Sequence, residues 1–359
     1  MGGKGLENVV AAETAVSMVD GEKGRLIYRG HPAADLAIES SFEEAAYLLL
    51  EGEKPSEEQL QTFTESLKNK RKVPEHIHKM IEHFPNDLDM MSVLEASVAA
   101  LAEREQLEQP ARSQAERLIA VLPVIIASRH RLLQQKEIVH ADAGLSHTAN
   151  YLYMLHGRKP EKAETRALEA YLILTMEHGM NASTFTSRVI ASTESDFFSA
   201  AAGAIGALKG PLHGGAPGGV IDMLEDIGAK EKAEAWLRTK IEAGERLMGF
   251  GHRVYKTTDP RAEALKKICE SIAGKNDWLD TAYHVEQKAV QLLQEYKPER
   301  ELYTNVEFYA AAVLKAVDLP KSLFTPTFAL SRSVGWSAHI AEQRENNRII
   351  RPQSMYIGK

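Results

Sequence analysis

The 359-residue sequence has a single cysteine, Cys269. That excludes an intrachain disulfide, and it excludes Cys-based zinc fingers and iron–sulfur clusters, which need several thiolates. Basic charge is also short: 43 Lys and Arg stand against 50 Asp and Glu, a formal net charge of −7. Nucleic acid and anionic membrane both favour a basic surface, so neither is expected as the main partner. A local cationic site for a small anion stays compatible with that balance. Long hydrophobic runs are missing. The best, Leu118–Ala127, is too short for a membrane span, contains Pro123 and lies between Arg117 and Arg129. Met1–Gly5 has neither the apolar core of a signal peptide nor an Arg/Ser-rich transit character, and a cytoplasmic protein is expected. HExxH is absent and His76-x-His78 is the only close histidine pair, so no metal is expected. A Walker lysine motif and a G-x-S-x-G elbow are absent too, which argues against a P-loop enzyme and a serine hydrolase.

What is present is a core and many helix signals. The hydrophobic fraction of 44% supports a sizeable interior, and the length suggests about two domains. Ser41-x-x-Glu44 is a capping box ahead of Ala45–Leu50, with Gly52 as its stop, and Ser56 with Gln59 repeats the start. Val93, Leu94, Val98 and Leu101 fall on one helical face. Arg112–Leu133, Thr165–His178, Ser195–Leu208, Lys230–Ala243, Arg261–Ile272, Leu279–Glu295 and Glu307–Val317 read the same way. Alternating stretches are few, and Val16–Val19 with Leu26–Arg29 is the best ribbon. The expected class is therefore all-α. Small residues crowd Ala200–Ala207 and Ala310–Ala312, which suits close packing within the chain or at a subunit interface.

Three of the thirteen histidines stand in special surroundings. His178 is followed by Gly179; His213 lies in Gly210-Pro211-Leu212-His213-Gly214-Gly215; His252 lies in Gly249-Phe250-Gly251-His252. Glycine costs stability unless the backbone needs unusual dihedrals or a close approach, so two histidines in Gly-rich turns point to a site. Gly249-Phe250-Gly251 is no dinucleotide fingerprint, since the third glycine is absent. Downstream stand Arg261, Arg332 and Arg351, the residue type that binds carboxylates bidentately. Glu307 sits between Val306 and two aromatics, a setting that raises a carboxyl pKa and suits a base near neutral pH.

In order, the segments GPLHGGAP, GFGHRVYKTTDPR, NVEFYAA, TPTFALSR and RPQSMY, preceded by the opening Gly21–His31, resemble citrate synthase along essentially the whole chain. The shorter bacterial members, some acting also as 2-methylcitrate synthases, are the nearest in kind. The resemblance implies an all-helical homodimer, with a large domain over 1–213 and 319–359 and a small domain inserted over 214–318. It implies condensation of acetyl-CoA with oxaloacetate and water, without a permanently bound cofactor. Glu307 would take the α-proton, a neutral His213 would stabilise the enolate oxygen, and His252 would polarise the ketone. His178, Arg261, Arg332 and Arg351 would hold oxaloacetate, with Arg351 supplied across subunits. Lys256 and Arg253 would meet the phosphates of coenzyme A. One departure stands out: the family's base is usually Asp, in NVDFY, and here it is Glu307. The extra methylene moves a carboxylate by roughly 1.3 Å, and a misplacement of that order can cost on the order of a hundredfold in rate. Propionyl-CoA as the acyl donor, and a catalytically silent scaffold that keeps the fold, are the alternatives.

Overall fold

The local signals form as read. In the computed structural model, Ser41 Oγ accepts from Glu44 N–H at 3.2 Å while Glu44 Oε2 accepts from Ser41 N–H at 2.7 Å. Ser56 and Gln59 repeat the exchange at 3.3 and 2.8 Å, and Gly52 ends its helix with φ 92°. The structure describes residues 4–6, 9–214, 216–251, 255, 257–272, 277–299 and 302–358.

Among them the chain is all-α apart from one ribbon. Ser17–Asp20, Arg25–Tyr28 and His31–Pro32 pair antiparallel in that order, with Ser17 opposite Tyr28 and Tyr28 opposite His31. Helices follow at Ala33–Glu39, Phe42–Glu51, Glu57–Asn69, Glu75–His83, Met90–Ala99, Arg104–Leu107, Ala111–Leu133, His147–His156 and Lys162–Thr175. Then come Ala182–Ser192, Phe197–Lys209, Pro211–Gly214, Ala216–Ile227, Ala233–Glu242, Pro260–Ile272, Asp277–Tyr296, Val306–Ala316 and Phe324–Glu345. The core centres on the Ala111–Leu133 helix, where Leu118–Leu122 and Ile125–Ile126 are fully buried, and on the Phe324–Glu345 helix around Trp336. The small-residue helix Phe197–Lys209 packs tightly within the chain: a Cβ on Gly203 would meet Ile190 Cδ1 at 2.2 Å.

Two differences from the sequence reading shape the site. The helix expected to run to His178 ends at Thr175. Gly335 of the C-terminal helix lies so close there that a Cβ would stand 2.3 Å from the Met176 carbonyl oxygen, and Gly179 takes a left-handed φ of 64°. His178 therefore sits in a bend. Tyr28 of the ribbon braces that bend, its hydroxyl lying 3.2 and 2.9 Å from the carbonyls of Leu174 and Glu177. The second difference is the 22-residue Phe324–Glu345 helix itself, which is not among the helices expected from the sequence, although TPTFALSR and its Arg332 are among the motifs read there. Its Thr327, Ser331, Ser333 and Ser337 are buried on packed faces, and their hydroxyls bond internally, as Ser337 Oγ does to the Ser333 carbonyl at 2.7 Å. A helix enclosed on all sides carries no polar stripe to reveal it.

Among the described residues no helix is long and apolar enough to cross a membrane, and no cluster of three or more His, Cys, Asp or Glu side chains is placed to hold a metal ion. Cys269 is buried and its thiol is pushed up to about 12, by burial first and by the Glu270 charge next.

His147 supplies a test of the core. Its ring stacks on Phe42 with centroids 4.3 Å apart, it is 1% exposed, and neither ring nitrogen has a partner. Burial, then the Arg71 charge, pushes its pKa down from 6.5 to about 3. Between those values the unfolded chain binds a proton that the folded chain does not, so stability falls as pH drops from about 6.5 toward 3, by at most about 1.4 kcal/mol per pH unit from this group. His147→Phe keeps the stack and removes the titration. In urea melts at pH 7 and pH 4.5 it is expected to lose less stability than the wild type; an equal loss contradicts the assignment.

Candidate active site

A cavity of about 560 Å3 opens where the His178 bend, the His213 turn and the first turns of three helices converge. The Val306–Ala316 helix brings Glu307, the Pro260–Ile272 helix brings Arg261, and the Phe324–Glu345 helix brings Arg332. His178 and His213 add two imidazoles to the lining, against Leu212, Val306, Ala310, Phe324 and Phe328.

Glu307 is placed by a clamp at its helix start. Asn305 is the N-cap, its Oδ1 accepting from Glu307 N–H at 3.0 Å. The same side chain donates from Nδ2 to the Gly251 carbonyl at 2.8 Å. Backbone bonds Gly251 N–H to Tyr303 O (2.8 Å) and Asn305 N–H to Gly249 O (2.9 Å) close the clamp. Gly249 and Gly251 have φ of 85° and 77°, and a Cβ on Gly249 would press on Phe308 at 3.0 Å. The glycines flanking Phe250 are thus required by left-handed backbone and by close approach to the Glu307 helix.

Burial sets the protonation states. It raises the Glu307 pKa above 4.5, the Arg246 and Arg261 charges opposing it and Asp259 adding to it. It lowers His213 to about 4, with the Arg332 charge pushing the same way. His213 is therefore a neutral imidazole at pH 7. Its Nε2 lies 3.3 Å from the Ser183 backbone nitrogen and 2.8 Å from Ser183 Oγ. A backbone N–H can only donate, so Nε2 accepts and the ring proton sits on Nδ1. Ser183 is fixed in turn by Trp336, whose Nε1–H donates to its Oγ at 3.1 Å.

The two arginines differ. Arg261 is buried and forked onto Asp259, Nε to Oδ1 at 3.1 Å and Nη2 to Oδ2 at 2.9 Å, and lies over the Tyr255 ring at 5.6 Å. Arg332 is 2% exposed and stacks over Phe328 at 4.6 Å, its Nε donating to the Thr175 carbonyl at 2.8 Å. Burial lowers its pKa, with the Glu177 charge pulling the other way. His178 Nε2 meets the Tyr255 hydroxyl at 3.1 Å.

Five of the residues singled out from the sequence thus share one cavity: His178, His213, Arg261, Glu307 and Arg332. Arg351 is exposed on the C-terminal segment and does not line it. His252, Arg253 and Lys256 lie outside the described residues. Sequence reasoning missed Ser183, Trp336 and Asp259. The partners of Ser183 and Asp259 lie 30 and 47 positions away, at His213 and Val306, a separation that no local pattern encodes.

The His213 assignment is checked by NMR of histidine-labelled protein. Its ring signals are expected to stay those of neutral imidazole from pH 8 to pH 5, with Arg332→Met raising the midpoint. A wild-type midpoint near 6.5 contradicts it.

Comparisons with known proteins identify the family and the fold. Residues 5–353 match the family model described as citrate synthase, C-terminal domain. The chain is 39% identical to a citrate synthase of Synechocystis sp., over 99% of this chain and 90% of that one. It is 38% identical to a 2-methylcitrate synthase of Shewanella oneidensis, over 99% and 95%. A solved citrate synthase of the thermophilic archaeon Thermoplasma acidophilum, in ternary complex with carboxymethyl coenzyme A and oxaloacetate, superposes with a TM-score of 0.89 at 33% identity, covering 99% of this chain and 96% of that one. With matched sequence along nearly its whole length and the same fold, the chain belongs to the citrate synthase family.

Proposed function

We propose that this cavity condenses acetyl-CoA with oxaloacetate and hydrolyses the product thioester to give citrate and CoA. The observation that carries the reading is the placement, in one cavity, of a carboxylate with a raised pKa beside a neutral imidazole and two buried guanidinium groups. The α-proton of a thioester is weakly acidic, so a base needs a partner that stabilises the enolate oxygen as charge develops. Glu307 takes the proton. His213 donates from Nδ1–H to that oxygen and stays neutral, so no buried cation has to form first. The methyl carbon then bonds to the ketone carbon of oxaloacetate, whose oxygen gains a proton, and water cleaves the thioester.

Arg332 and Arg261 meet the carboxylates of oxaloacetate, and His178 holds the same substrate. The family resemblance assigns His252 to the ketone oxygen, and Lys256 and Arg253 to the CoA phosphates. It also assigns the nested domains, the large one over 1–213 and 319–359 and the small one over 214–318. A homodimer in which Arg351 completes the partner's site accounts for the C-terminal segment, where Ile349, Met355, Tyr356 and Ile357 are 58–92% exposed. Apolar side chains projecting in a row suit coverage by a second copy. Acetyl-CoA is the donor favoured here. Propionyl-CoA is its competitor, because one methylene discriminates by only about 1–3 kcal/mol, and relatives of both names match at nearly equal identity.

The test is CoA release with oxaloacetate, run in parallel with acetyl-CoA and propionyl-CoA. Glu307→Gln and His213→Ala are each expected to lower kcat by about 10²–10⁴-fold. Arg332→Ala is expected chiefly to raise KM for oxaloacetate, by about 10–100-fold for a lost charge-assisted contact. Wild-type protein that releases no CoA would return the chain to the scaffold reading, and a higher kcat/KM for propionyl-CoA would reverse the donor order.

A further inference from the structure

Asp259 makes more contacts than its position demands. It precedes the Pro260–Ile272 helix, and its Oδ1 accepts from Arg261 N–H at 3.0 Å in the manner of a helix cap. A cap needs one oxygen. Here Oδ1 also accepts from Arg261 Nε, and Oδ2 accepts from both Arg261 Nη2 at 2.9 Å and the Val306 backbone N–H at 3.0 Å. Val306 is the first residue of the helix that presents Glu307. The carboxylate is 2% exposed, so these charge-assisted bonds are shielded from competing water.

We infer that Asp259 is a positioning residue that fixes the carboxylate-binding Arg261 and the base-bearing helix in one rigid unit. The inference rests on the assignment of Arg261 to oxaloacetate and Glu307 to proton abstraction. One anion sets both the direction of the Arg261 fork and the height of the Glu307 helix start. Substrate carboxylate and substrate methyl group are thereby referred to a single point in the protein. A shift near 1 Å between them would be felt as a rate loss, and the bridge holds that distance from both ends. Asp259 also places a negative charge near Glu307 and helps keep its pKa high, against the opposing charges of Arg246 and Arg261.

Asp259→Asn separates this role from capping, because Asn caps a helix as well as Asp does. The amide presents a donor to one of the donor groups that the carboxylate now accepts from, so the bridge breaks while the cap can persist. The expected result is a KM for oxaloacetate raised about tenfold and a kcat lowered about ten- to a hundredfold, the sizes associated with a lost charged contact and with misplacement. The acid limb of the kcat profile is expected to move to lower pH, since Glu307 ionises more easily without the neighbouring charge. A purely structural role would lower thermal stability while leaving kcat and KM for oxaloacetate near the wild-type values.

A second variant guards against misfolding. Val306→Pro removes the N–H that Oδ2 accepts from, at the first helical position, where proline is tolerated, and sets the ring Cδ against that oxygen. Val306→Ala is the side-chain control. Val306→Pro is expected to lower kcat below that of Val306→Ala, because the helix start loses its bond to Asp259 and the ring crowds the carboxylate. An active wild type with unchanged kcat, KM and pH limb in Asp259→Asn overturns the inference alone, and so does a Val306→Pro variant that behaves as Val306→Ala. A wild type without CoA release removes the proposed reaction and the inference together.

Discussion

The arrangement turns on a buried cation. Arg332 is 2% exposed, takes part in no ion pair among the described residues, and uses one nitrogen on the Thr175 carbonyl. Desolvating a guanidinium is costly unless an anion restores what water supplied. The fold sustains it with a carbonyl, an aromatic face and the more distant Glu177 charge. A carboxylate entering the cavity would complete its coordination. The same field helps keep His213 neutral. Under the proposed reaction, binding and catalysis share one electrostatic cause: the cation that would receive a substrate carboxylate also suppresses protonation of the imidazole proposed to donate a hydrogen bond.

That cation can stand where it does only because backbones come unusually close. Gly335 lets the C-terminal helix lie against Met176 and Glu177, where the preceding helix ends at Thr175, leaving the Thr175 carbonyl to Arg332 and His178 in the cavity lining. Gly249 and Gly251 do the corresponding work on the opposite wall, binding the 249–251 loop to the 303–305 segment so that Glu307 enters on the first turn of its helix. Glu307 in place of the family's usual Asp reaches the cavity from this clamp. The extra methylene is therefore part of a wall whose position is set by Asn305, Gly249 and Asp259 together, rather than by the carboxylate alone.

Much of this was legible in the residues. The capping boxes at Ser41 and Ser56 and the ribbon near Val16–Arg29 depend on neighbours a few positions away, and they formed as read. The lining of the cavity by His213 and Glu307 was legible for a different reason: glycine density and a carboxyl among apolar residues are each unfavourable unless something requires them. What stayed hidden was set by distant packing. The Phe324–Glu345 helix shows no periodicity because it is enclosed. The end of the His178 helix is dictated by Gly335, more than 150 residues on. Ser183 and Asp259 looked like ordinary helix-start residues until the fold brought His213 and Val306 to them.

In the proposed reaction a desolvated Glu307, ionised only above a raised pKa, acts beside a neutral His213. The most direct measurement is the pH dependence of kcat for CoA release from acetyl-CoA with saturating oxaloacetate, from pH 4.5 to pH 8. The rate is expected to fall on the acid side with an apparent pKa above the ordinary glutamate value of 4.5, and the residual activity of Glu307→Gln is expected to show no such limb. A rate that stays level down to pH 4.5, or a limb that survives in Glu307→Gln, would contradict it.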